Sequence, residues 1–140
     1  RLNLCGGPNQ NYSFNEVVAG PNGETGIITS TRAQIITEAG DIVLSRKDMG
    51  TSYHLSVVLD DAAQDITDVV RGHDLFEATK IHVLIQDLLG LPTPNYHHHD
   101  LIRDDQGKRL AKRDDARAIA KFRDEGYTAD DIRKLVGLPR

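Results

Sequence analysis

Cysteine is nearly missing from this 140-residue chain, Cys5 being the only one. A single thiol makes neither an internal disulfide nor a cysteine-rich zinc site, so Cys5 reads as a small buried or incidental residue. Long apolar runs are missing too. No stretch of eighteen apolar residues and no signal-peptide pattern occurs, which predicts a soluble cytoplasmic protein with no membrane partner. The Gly-x-Ser-x-Gly elbow, the Walker phosphate loop and the His-Glu-x-x-His helix are absent, which leaves the common hydrolase, NTPase and metalloprotease readings without support. There is no overall excess of positive charge: a formal net charge of -4 argues against binding nucleic acid over the whole surface by phosphate neutralisation. No initiator methionine opens the chain either. It begins at Arg1 and its one methionine is Met49, which predicts a processed or truncated chain.

What is present is an ordinary globular balance, 39% hydrophobic and 27% charged residues, enough for one domain with a modest core. The charge is uneven. Between Arg103 and Arg123 eight Lys/Arg face four Asp, a local excess of four positive charges able to meet a nucleotide or a tRNA end. Within it, Leu101 to Arg113 joins an apolar run, a polar turn and a cationic loop. Asp104 to Gly107 are turn formers, so a strand should end there and Lys108, Arg109, Lys112 and Arg113 should sit on the loop beyond it. A helix beginning near Asp115 would add its N-terminal partial charge, making the loop a phosphate-holding place. Composition alone favours a solvated surface loop.

In chain order, residues 1–26 read as irregular, with a short strand at Ser13 to Ala19, and Ile27 to Gly40 is ambiguous between helix and connection. Asp41 to Arg46 and Tyr53 to Leu59 read as strands joined antiparallel through Gly50, and Ile66 to Gly72 as a third. Leu75, Ala78, Ile81, His82, Ile85, Leu88 and Leu89 recur at helical spacing and predict a helix over 75–89, stopped by Gly90 and Pro92. With a strand over Tyr96 to Ile102 this gives a βαβ unit of a parallel sheet, and ligands of such sheets sit beyond the strands' carboxyl ends. Helices are predicted over Asp115 to Asp124 and Ala129 to Val136.

Three consecutive histidines, His97 to His99, would place two on one strand face, yet no third metal ligand stands at a supportive spacing, so hydrogen-bonded or nucleotide-proximal histidines are expected. Asp60 and Asp61 read as strand-end acids rather than an acid/base pair.

Arg109-Leu110-Ala111-Lys112-Arg113 resembles the Lys-Met-Ser-Lys-Ser loop of class I aminoacyl-tRNA synthetases, with Arg109 for the first lysine and Ala111 for the serine. The resemblance extends over Ser52-Tyr53-His54-Leu55-Ser56-Val57-Val58-Leu59-Asp60-Asp61-Ala62, Gln64 to Gly72 and Leu88 to Pro94, which look like consecutive blocks of the glutamyl-tRNA synthetase catalytic domain. Arg71-Gly72-His73-Asp74-Leu75 is most similar to the glutamyl-Q tRNA(Asp) synthetase branch, whose members attach glutamate to queuosine in the tRNA(Asp) anticodon. The resemblance implies an α/β fold: the second half of a Rossmann-like catalytic domain over 41–140, preceded in 1–40 by the end of an insertion domain. It implies adenylation of L-glutamate with ATP and Mg²⁺, then transfer to tRNA(Asp). Tyr53 and Arg71 match the glutamate-binding residues, Lys112 the catalytic lysine on the ATP phosphates, and Leu101 and Ile102 the segment beside adenine.

Nothing in 1–40 resembles the family's His-Ile-Gly-His half, and the zinc-binding cysteine cluster of some relatives is absent, so a monomeric C-terminal portion, inactive alone, is expected. Two alternatives stay open: part of a glutamyl-tRNA synthetase that charges tRNA(Glu), and a non-catalytic nucleotide- or RNA-binding module.

Overall fold

The computed structural model describes residues 10–103, 106–107 and 118–138, and the chain divides into two units, Arg1–Asp100 and Leu101–Arg140. In the first unit, period-two alternation sets the opening strand: in β1 (Asn11–Glu16) Tyr12, Phe14 and Glu16 are buried while their neighbours face outward. β1 pairs antiparallel with β2 (Gly26–Thr31). The connecting loop turns at buried Gly20, where a Cβ would lie 2.6 Å from the Phe76 ring, so only glycine lets the backbone pass that close. Thr31 ends β2 and caps α1 (Arg32–Ala39): its hydroxyl accepts from the Gln34 N–H while the Gln34 side chain accepts from the Thr31 N–H. The first forty residues, expected to be mostly irregular, therefore contain two strands and a helix. Their alternation is short and broken by Asn and Gly, and it becomes structure through pairing.

A larger departure follows. Tyr53 to Leu59, expected as a strand, lies in α2 (Tyr53–Ala63). The β-branched run lowers helix propensity by only a few tenths of a kcal/mol per residue. Against that, Ser52 caps the N-terminus and Val58 is buried. With no strand at 53–59 the expected hairpin has no second arm, and 41–46 keeps a single bridging residue, Ile42. Ile42 still enters the core.

The βαβ unit is present. β3 (Asp68–Gly72), a single 3₁₀ turn (His73–Leu75), α3 (Phe76–Leu89) and β4 (Asn95–His99) follow in order, and β3 and β4 are parallel. Gly90, with φ 65°, closes α3 in the left-handed conformation. β4 stops at His99, short of the expected Ile102, because its register partner Gly72 is the last residue of β3. The sheet order is β2-β1-β4-β3, parallel except for the β1/β2 hairpin. Tyr12, Phe14, Ile35, Ile42, Phe76, Val83, Leu84 and Tyr96 form the core, with Phe14 edge-on to Phe76 at 5.8 Å and to Tyr96 at 5.3 Å.

In the second unit the described helices are α4 (Ile119–Asp124) and α5 (Ala129–Leu135). Thr128 and Asp131 form a capping box on α5, and Phe122 meets Tyr127 edge-on at 5.3 Å. The helix expected from Asp115 has its described part from Ile119; residues 108–117 lie outside the described residues.

Candidate functional site

Strand register builds the site. β3 and β4 pair Arg71 with His98, and β1 reaches β4 at Glu16 opposite Tyr96. Glu16, His98 and Arg71 consequently stand in a row across three strands on the core face, all buried. α3 covers the row with Thr79, His82 and Gln86, spaced to lie on one helix face.

Arg71 is the centre of this group. Its Nε donates to His98 Nε2 at 3.3 Å, one terminal nitrogen donates to His82 Nδ1 at 3.0 Å, and the other donates to the Thr79 hydroxyl. The guanidinium also lies over the Tyr96 ring, 4.8 Å from its centroid. These three bonds use one N–H on each nitrogen and leave a second N–H on each terminal nitrogen. Among the described residues no carboxylate forms an ion pair with Arg71.

A guanidinium only donates, and that fixes the protons of the histidines around it. His82 Nδ1 must accept, so its proton is on Nε2, which donates to His54 Nδ1 at 3.0 Å. His98 Nε2 must accept likewise, so its proton is on Nδ1 and is donated to Glu16 Oε2 at 2.5 Å. Glu16 Oε1 accepts the His98 backbone N–H at 3.1 Å. Burial resists ionisation of Glu16, but its bonds to His98 outweigh that and hold its carboxyl below the usual range. Burial, with Arg71 alongside, lowers His54 and pushes His82 down to about 3. Burial lowers His98 too, against the pull of Glu16.

A pH dependence follows. His82 stays neutral in the folded chain, whereas the unfolded chain takes up its proton near pH 6.5, so the unfolded state binds more protons between about 6.5 and 3. The stability involved is fully present above the unfolded value and is lost as pH falls through this window, about 2 kcal/mol by pH 5. In urea unfolding from pH 7.5 to 5, His82→Gln, which keeps an acceptor for Arg71, is expected to lose less stability than the unmodified chain. Equal slopes would contradict the buried neutral His82.

Tyr53 stands in the first turn of α2, about half exposed, its ring 5.6 Å from that of His82. Tyr53 and Asp61 both lie within electrostatic reach of Arg71, whose basicity is lowered by burial and supported by Tyr96, Tyr53 and Asp61. Asp61 is half-buried, and burial raises its carboxyl, while Asp60 is exposed. Helical geometry, not strand alternation, separates these two acids. The structure thus brings together Tyr53 and Arg71, two of the residues expected at the site. Leu101 and Ile102 belong to the second unit and follow β4 without extending it; Leu101 is half-buried and Ile102 exposed. Arg109, Leu110, Ala111, Lys112 and Arg113 lie outside the described residues.

The three histidines separate by face. His98 is buried in the row, His97 bonds Asp68 at 2.9 Å, and His99 is exposed and donates to the Asp100 carbonyl. Among the described residues no group of three or more His, Cys, Asp or Glu is placed to hold a metal. Sequence reasoning missed Glu16, Thr79 and His82 as members of the site. The available signal for Glu16 was its place two residues beyond Phe14 and four beyond Tyr12, which puts a carboxylate on a core-facing strand position.

A buried cationic fork with neutral partners and two further N–H groups, beside a tyrosine, is suited to a carboxylate. The family model described as tRNA synthetases class I (E and Q), catalytic domain, matches residues 22–138. The glutamyl-Q tRNA(Asp) synthetase of Rhodobacter capsulatus is 69% identical over 104 residues, which are 74% of this chain and 37% of that protein. The protein of the same name from Xanthomonas axonopodis pv. citri is 49% identical over 85 residues, 61% of this chain and 28% of that protein. The glutamate–tRNA ligase of Synechococcus sp. is 41% identical over 104 residues, 71% of this chain and 22% of that protein. This chain therefore spans well under half the length of these relatives. The glutamate-tRNA synthetase structure from Elizabethkingia anophelis shares the fold, with a TM-score of 0.58 at 21% identity, over 86% of this chain and 21% of that one. From the family match, which covers most of its length, the chain belongs to the catalytic-domain family of class I tRNA synthetases for Glu and Gln.

Proposed function

We propose that this chain is part of an ATP-dependent ligase that activates L-glutamate as its adenylate and transfers it to queuosine in the anticodon of tRNA(Asp). The observation that carries the reading is Arg71: a buried guanidinium whose hydrogen-bonding neighbours are a threonine, a tyrosine and two neutral histidines, none of them a carboxylate, so that a ligand carboxylate completes it. In this reading Arg71 and Tyr53 hold a glutamate carboxylate, Lys112 meets the charge developing on the leaving pyrophosphate, and Leu101 and Ile102 lie beside adenine. Arg109, Leu110, Ala111 and Arg113 complete the loop that carries Lys112. Mg²⁺ accompanies ATP, held chiefly by substrate phosphates, a mode that needs no cage of protein ligands.

In the same reading residues 41–140 form the C-terminal half of the catalytic domain. Residues 1–40 close the family's insertion and dock on it through β1, and the protein acts as a cytoplasmic monomer. The choice of tRNA rests on the names of the two glutamyl-Q relatives and on the Arg71-Gly72-His73-Asp74-Leu75 segment. The relative named for charging glutamate onto tRNA supports the second reading, acylation of tRNA(Glu).

Labelled glutamate, offered with ATP to the full-length gene product, separates the two. The expected result is label on queuosine-containing tRNA(Asp) and none on tRNA(Glu). Efficient charging of tRNA(Glu) would replace this reading with the second.

A further inference from the structure

Arg71 holds a buried positive charge, and every group it hydrogen-bonds is neutral, while Asp61 supports it electrostatically without an ion pair. His98 and His82 are unprotonated acceptors, and Thr79 is a hydroxyl. Taking a cation out of water without a counter-charge is costly, and a lone buried carboxylate is equally so. The row across the sheet contains both. Glu16 is 1% exposed, it receives the His98 Nδ1 proton at 2.5 Å, and the His98 backbone N–H at 3.1 Å and the Val18 N–H at 3.2 Å complete its bonding to the same oxygen pair. One neutral imidazole separates the two charges.

We propose that Glu16 is a counter-ion of Arg71, held one imidazole away by His98, and that this indirect pairing, beside the charge of Asp61, helps balance the guanidinium while leaving the second N–H of each terminal nitrogen for the substrate carboxylate. The inference rests on the reading of Arg71 as the carboxylate-binding group. A direct Glu16–Arg71 fork would occupy both terminal nitrogens, and a substrate would have to break two charge-assisted bonds to enter. Through His98 the carboxylate takes only Nε, by way of the imidazole, and fixes the plane of the fork. His98 is a positioning residue, and Thr79, 3.1 Å from its Nε2, steadies the same edge.

The arrangement has a signed consequence. Glu16 repels an incoming carboxylate at long range while stabilising the empty site, so it sets the affinity below what Arg71 alone would give. Glu16→Gln removes the charge and keeps one oxygen for the His98 proton, while its NH₂ replaces the oxygen that receives the His98 and Val18 backbone N–H groups, which costs stability. In the full-length enzyme, glutamate-dependent pyrophosphate exchange by this variant is expected to show a KM for glutamate about three- to tenfold lower, the size of a charge effect at protein dielectric. The KM for ATP stays unchanged, and the thermal midpoint without ligand falls. A purely structural Glu16 would leave the glutamate KM unchanged or raise it, and either outcome overturns the proposal.

Should Glu16→Gln not fold, imidazole ¹⁵N spectra of the unmodified chain at pH 7 decide. A neutral His98 with its proton on Nδ1 supports the pairing, and an imidazolium or a proton on Nε2 overturns it. Arg71→Ala in the same exchange assay keeps the two levels apart. If Arg71→Ala raises the glutamate KM while Glu16→Gln does not lower it, only this inference fails; if Arg71→Ala is also without effect, the functional reading fails.

Discussion

Arg71→Ala is expected to raise the KM for glutamate at least about 10²-fold in pyrophosphate exchange, with the KM for ATP changed by less than about threefold. Two charge-assisted hydrogen bonds to a carboxylate are removed, each on the order of 1.5–3 kcal/mol, and their partner is one substrate only. The variant also removes the donors that hold His82, His98 and Thr79, and leaves Glu16 buried without its counter-charge. Its stability must therefore be measured beside its kinetics. Arg71→Lys serves as the companion: it keeps the charge and loses the fork, so it should fold better and still lose most of the glutamate affinity. Tyr53→Phe should be milder, because Tyr53 is half exposed and lends one hydroxyl. Equal effects of Arg71→Ala on both substrates would mark it as a structural strand-end residue.

Lys112→Ala is expected to lower kcat for the same exchange on the order of 10²-fold, with little change in either KM. A lysine that meets pyrophosphate best as the bond to the α-phosphorus breaks stabilises the transition state more than the bound substrates. Losing it therefore appears in kcat and in kcat/KM together. A raised KM for ATP with an unchanged kcat would make Lys112 an ordinary binding group.

The part of the fold most open to sequence reading was β3-α3-β4. Its helix stripe is long, Gly90 and Pro92 stop it, and a parallel pair is what such a crossover produces. The segment 53–59 misled because Tyr-His-Leu-Ser-Val-Val-Leu suits a buried strand and a helix face equally well. Ser52 as a cap and the packing of α2 on α3 decide between them, and the second is a tertiary fact that no local pattern carries. The site was legible unevenly, and for the same reason. Tyr53 and Arg71 were singled out through motif likeness, and they stand near each other. Glu16, Thr79 and His82 were not, because a buried polar residue on a strand or helix looks like its neighbours until the register of three strands brings it beside a cation. The three histidines are hydrogen-bonded, as expected, but alternation alone did not tell which face is the inward one, and that face is occupied by the middle residue, His98, alone.

A carboxylate-binding site that serves amino-acid activation must select its amino acid by charge. Amino-acid-dependent exchange of labelled pyrophosphate into ATP by the full-length gene product tests it most directly, with L-glutamate, L-glutamine and L-aspartate compared at equal concentration. Exchange is expected with L-glutamate and at least about 10²-fold less with L-glutamine, whose neutral amide leaves a charge-assisted fork unsatisfied. Exchange driven equally well by L-glutamine, or no exchange with L-glutamate, would contradict it.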